Sequence, residues 1–174
     1  MTGPAHQRAA ALVTVLSSAV GVLVGLAWWL LTPLARLENR ADGVFAVGLR
    51  EEAAVAADGW FAACAVVAGA VTAALVAFLV HQRLAGLAGL AIGGVLGSVL
   101  AWRLGSLLGP PSIEASAVSA RVGARFDGPL DLSALGVLLA WPMAATVVYF
   151  AIVAGLDARH AQDAHEAQGT QQQV

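Results

Sequence analysis

Residues 84–108 read LAGLAGLAIGGVLGSVLAWRLGSLL, and this stretch decides the fold. From 84 to 102 it holds no charged residue. A helix rises about 1.5 Å per residue and a bilayer's hydrocarbon core is about 30 Å thick, so roughly 20 apolar residues cross it. Gly89, Gly93, Gly97, Ala101, Gly105 and then Gly109 recur every four residues. Such a row makes one helix face nearly flat. In lipid, where hydrophobic drive between helices is small, a flat face permits close backbone approach and van der Waals contact. The row packs the bundle against itself or, in the sharper reading, forms a dimer face. Shorter rows of the same spacing are Ser17, Gly21, Gly25; Ala65, Gly69, Ala73, Ala77; and Gly136, Ala140, Ala144.

Three further stretches, 9–35, 59–80 and 132–156, are equally free of charge. The chain of 174 residues is 59% hydrophobic and 11% charged, against about 25% charged in a soluble domain. Too few charged residues remain to cover a water-facing surface, and a disordered chain is excluded too. Strands of a membrane barrel would alternate apolar and polar positions, and these runs do not. The reading is an all-α membrane protein: a four-transmembrane-helix up-down bundle with two structured extramembrane loops. Its spans are about 10–31, 59–80, 84–108 and 132–156, after a short tail at 1–9 and before a disordered polar tail at 157–174. The first span is read as an uncleaved helix. Its apolar run exceeds the core of a signal peptide, and Trp28, Trp29 and Leu30 stand where a cleavage site would.

Helix ends carry local signals. Pro33 and Gly109-Pro110-Pro111 stop the first and third spans. Asp58 is expected to cap the second span, and Asp131 or Ser133 the fourth. Pro142 removes a backbone bond inside the fourth span, which predicts a kink. Up-down threading puts Trp28, Trp29, Trp60 and Trp102 on one rim as interfacial aromatics. Trp141 falls about nine residues inside helix four, roughly 13 Å deep. The same rim carries the two long loops. Val44, Phe45, Val47 and Leu49 predict a strand, hairpin or amphipathic segment within 35–58. Ser112 is placed to cap a short helix within 112–125, and both loops are expected to pack as a small cap.

Arg103 is the one charge within a span. Two readings apply: its side chain snorkels to the headgroups, or it forms a rim ion pair with Asp58 or Asp131. No Asp, Glu or Lys lies within a span, which argues against a proton-driven pump. His160 and His165 form at most a weak metal pattern, and the hydroxyls within the spans have no histidine partner there. Cys64 reads as a packing residue. No cofactor and no catalysis are expected. With no lysine and a net charge of -2, nucleic acid has no electrostatic footprint to bind.

Asp58-Gly59-Trp60-Phe61, Gly97-Ser98, Leu100 through Gly105, Phe126-Asp127, Pro129-Leu130, Gly136 through Leu139 and Trp141-Pro142 together resemble an actinobacterial family of four-helix integral membrane proteins. That family is catalogued only as a domain of unknown function. The resemblance runs from about Gly21 to Leu156. It implies four transmembrane helices in the plasma membrane and brings no activity or functional residue with it. The arginine count, with Arg36, Arg40, Arg50, Arg121 and Arg125 on the loop side, favours cytoplasmic loops. The resemblance implies the opposite, and cytoplasmic termini are the orientation expected. The expected function is a non-enzymatic accessory, assembly or interaction protein. The alternative is a small oligomeric transporter or channel. Its partners would be the lipid bilayer and another membrane protein, or a second copy through helix three.

Overall fold

The computed structural model describes residues 4–48, 50–80 and 83–171. Leu49, the link His81-Gln82 and both chain ends lie outside the described residues. The chain runs α1 (Pro4–Leu31), β1 (Arg36–Arg40), β2 (Gly43–Ala46), α2 (Arg50–Leu79), α3 (Arg83–Leu108), α4 (Ile113–Ser119), β3 (Arg125–Asp127) and α5 (Ala140–Gln171), with a 3-10 turn at Leu135–Leu139 before α5. It is predominantly helical, and α1, α2, α3 and α5 are long and apolar enough to cross a membrane.

The helices outrun the apolar stretches. α1 begins at Pro4 rather than Ala10, with proline in the first turn, where its missing N–H costs nothing. α2 begins at Arg50, not at Asp58. Its Glu51-Glu52 start favours the positive helix end, and the alanines that follow are strong helix formers. The tail expected to be disordered continues α5 through Gln171, because extending an existing helix avoids the cost of nucleation. Charge marks where lipid ends. It does not mark where a helix ends.

The fourth span departs from expectation at its start. Residues 132–134 are irregular, the 3-10 turn follows, and α-helix begins only at Ala140. Pro142 therefore sits in the first turn of α5, where helices tolerate proline. The expected interior kink is instead a change from 3-10 to α geometry at the helix start.

Close contacts fix the sense of the helices. Gly89 lies against Ala10 and Val13, and Gly93 against Thr14 and Ser17. Gly97 meets Ser17 and Gly21, Ala101 meets Gly25, and Gly105 meets Trp28. Both sets of numbers climb together, so α1 and α3 run parallel. Gly69 of α2 meets Trp141 and Ala145 of α5, also in parallel. α3 runs opposite to α5, with Gly97 at Trp141, Gly94 at Pro142 and Gly86 at Tyr149. α3 is the central helix: half of its apolar window is buried, against 22–33% in the others. The glycine row is covered by α1 of the same chain. A second row, Gly86, Leu90, Gly94 and Ser98, set one position later in the same four-residue spacing, is also buried and faces α2 and α5.

Trp28, Trp141, Phe61 and Leu90 fill the interior and are fully buried. Leu12, Leu23, Val67, Phe78, Met143 and Val147 point outward, each more than 60% exposed. A water-soluble protein does not present so continuous an apolar surface.

Two glycines give opposite expectations. A Cβ at Gly97 would stand 2.9 Å from the Ser17 carbonyl oxygen and 3.1 Å from the Trp141 ring. Gly97→Ala should lower stability by about 1–3 kcal/mol, the usual cost of overpacking. Gly155 in α5 meets nothing within 4 Å, so Gly155→Ala should be neutral or stabilise by up to about 1 kcal/mol. Thermal unfolding of both variants in one detergent checks the contrast.

Candidate functional site

The side chains with chemistry gather where α1 and α3 end and α2 and α5 begin. Two consecutive residues of α2 organise this end. The Ala57 carbonyl accepts from Trp28 Nε1 at 2.9 Å. The Asp58 carboxylate accepts from the backbone N–H groups of Ser133 at 2.9 Å and Ala134 at 3.1 Å. Asp58 therefore lies inside α2 rather than at its start, and its carboxylate caps two backbone N–H groups that precede the 3-10 turn. It satisfies free N–H groups at the approach to the 3-10 turn, where Ala134 has no side-chain cap of its own. Trp28 is a core residue rather than an interfacial aromatic, set edge-on to Phe61 at 5.2 Å. Trp29 and Trp60 remain exposed by about two fifths, and Trp102 is half-buried.

The expected pairing of Arg103 with Asp58 or Asp131 does not form. Asp131 Oδ1 accepts from Trp102 Nε1 at 2.8 Å and from the Leu132 N–H at 2.9 Å. Asp58 is taken up by Ser133 and Ala134. The Arg103 guanidinium lies over the Trp102 ring, 4.7 Å from its centroid. A stacked guanidinium keeps its N–H groups free for a further partner. Among the described residues it makes no ion pair.

Both long connections fold into one antiparallel sheet of order β2-β1-β3. Leu37 pairs with Ala46 on one side and Phe126 on the other. The turn Ala41-Asp42 closes the hairpin into Gly43, whose φ of 141° suits glycine alone. Asn39 ties the sheet to α4, donating from Nδ2 to the carbonyls of Ala117 at 3.2 Å and Ala120 at 2.9 Å. Ser112 caps α4 by accepting from the Ala115 N–H. Glu38 lies between Arg40 at 3.0 Å and Arg125 at 3.2 Å. Hydrogen bonds from Arg40 and then Arg125 hold its carboxyl below the usual range. The turn was legible in Asp42-Gly43. The β1–β3 pairing, 87 residues apart at Glu38 and Arg125, carried no local signal.

Two cavities flank the segment Gly128–Asp131. The smaller, about 270 Å³, lies between Thr32–Leu37 and the start of α2. The larger, about 750 Å³, lies between the end of α3, the loop 109–112 and the start of α4, and Arg103 and Glu114 line it. At the far end of the bundle, Arg83 grips Asp157 with two N–H bonds of 2.7 and 2.6 Å, and Tyr149 Oη donates to the Arg83 carbonyl at 3.0 Å. Arg83 and Asp157 bound two of the charge-free stretches, and that placement was their one signal in the sequence. No cluster of metal-ligating side chains occurs among the described residues.

Asp58→Ala should destabilise by about 1–2 kcal/mol through loss of the cap, and Asp58→Asn should cost less. Because Asp58 and Arg103 share no contact, combining Asp58→Ala with Arg103→Ala should give additive losses in thermal unfolding. Glu38 gives a pH dependence. Its carboxyl is lowered in the fold, so its contribution is complete above the ordinary value of about 4.5 and is lost as pH falls below it. Hydrogen exchange at β1 should accelerate in that window, and Glu38→Gln should abolish the pH step.

No protein-family model, curated protein or solved structure matches this chain.

Proposed function

We propose that this chain is a multi-pass plasma-membrane protein, a four-helix up-down bundle with both termini in the cytoplasm. We read it as a member of the actinobacterial family its motifs resemble. Its work is non-enzymatic: it is an accessory or assembly protein that engages another membrane protein through the sheet and α4. One observation carries this reading. Val118 is 89% exposed and Val122 71% exposed on the α4 side of this cap, beyond the Gly109-Pro110-Pro111 stop. These two exposed valines offer apolar surface outside the apolar belt that such a contact would cover. The filled axis, with Trp28 and Trp141 fully buried, favours this reading over a pore through a single chain.

Co-purification from native membranes tests it. The wild-type chain should retain a stoichiometric partner, and Val118→Asp with Val122→Asp should release it without changing the thermal midpoint. A partner retained equally by both chains would remove the cap as the working surface. A homo-oligomer that passes solutes in liposomes would favour the transporter or channel instead. A reporter fused after Val174 should be active only in the cytoplasm.

A further inference from the structure

The cavity of about 750 Å³ at the end of α3 holds two opposite charges that do not meet. Arg103 lines one wall and Glu114, at the start of α4, lines the other. Among the described residues neither makes an ion pair, with the other or with any third group. Asp131, the remaining charge in the lining, already accepts from Trp102 Nε1 and the Leu132 N–H. Ser106 lies one turn after Arg103 in the same lining, and its buried hydroxyl oxygen has no partner. The guanidinium is oriented by the Trp102 ring rather than by a carboxylate. Leu107, 81% exposed, and Ile113 continue the cleft with apolar surface toward the side where lipid would lie.

A ligand that satisfies this cleft carries a negative group for Arg103, a positive group for Glu114 and an apolar tail. We propose that the cleft binds a phospholipid whose headgroup carries both a phosphate and a primary ammonium, the ethanolamine type. The phosphate takes the guanidinium fork of Arg103. The ammonium meets Glu114, and the glycerol and first acyl carbons lie along Leu107 and Ile113. Two carboxylates beside one arginine disfavour a purely anionic headgroup. A choline headgroup has no N–H to give Glu114. The inference rests on the membrane reading of the four helices and not on the partner surface of α4.

Native mass spectrometry of the detergent-solubilised chain tests the proposal. The probes are phosphatidylethanolamine, phosphatidylcholine and phosphatidylglycerol with identical acyl chains, plus soluble phosphoethanolamine. Phosphatidylethanolamine should be retained in preference to the other two lipids. Arg103→Ala should weaken that retention about tenfold or more, the scale of one charge-assisted hydrogen bond. Glu114→Gln should leave a lipid bound but shift preference toward phosphatidylglycerol, a change that a merely structural role for Glu114 would not produce. Arg103→Lys, which keeps the charge, and an unchanged thermal midpoint for Glu114→Gln guard against misfolding as the cause. Equal retention of all three lipids, or indifference to both substitutions, overturns the assignment. Displacement of the lipid by soluble phosphoethanolamine at equal concentration assigns the site to a soluble ligand and overturns it as well. Loss of the lipid preference with the α4 partner still bound would leave the proposed function standing.

Discussion

Everything in this fold depends on how closely α1 approaches α3. At Gly21 and Gly97, and again at Gly25 and Ala101, backbone meets backbone with no side chain between them. Apolar side chains gain little by leaving lipid for another helix, so attraction must come from many short contacts along the axis. Only small residues let two helices collect them. The contact is parallel, which has a topological consequence. Both helices end at the same side, so the connections that leave them emerge together. β1 follows α1 and β3 follows α4, and adjacency of their starting points is what lets them pair in one sheet.

A core built on glycine leaves gaps that larger groups must fill. The Trp28 ring covers Gly105, and the Trp141 ring fills the space over Gly97. Each indole N–H would be costly to bury unpaired. Trp28 gives its proton to the Ala57 carbonyl, and Trp141 lies 3.4 Å from the Thr72 hydroxyl. The same economy governs Asp58. One carboxylate on α2 satisfies two backbone N–H groups ahead of α5, joining helices that are far apart in sequence. The late start of α5 and the mid-helix acid are thus one arrangement.

The charges divide between the two ends of the bundle. Arg83 and Asp157 close one end with a bidentate pair that links the start of α3 to the middle of α5. At the other end Asp58 and Asp131 accept from N–H groups, and Glu38 lies between two arginines of the sheet. Arg103 is left stacked on an aromatic ring beside a cavity. The exposed apolar residues of α4 lie at the same end.

The amino-acid sequence by itself determined that four helices would be long and apolar enough to span a bilayer, because charge-free length is a property of composition along the chain. It also marked the turn at Asp42-Gly43, with a hairpin as one of three options for that loop, and the cap at Ser112, since turns and caps are made within a few residues. The row from Gly89 to Gly105 was legible as a contact face, but not which surface would meet it. The choice of α1, the covering of the row, the burial of Trp28 and the sheet joining residues 36–40 to 125–127 were decided by the tertiary structure. So were the two errors of assignment at Asp58 and Arg103. Placing residues at one membrane level says that they are near, whereas partners are chosen by direction and by competition. Backbone N–H groups of Ser133 and Ala134, invisible in side-chain identities, outcompeted the arginine for the carboxylate.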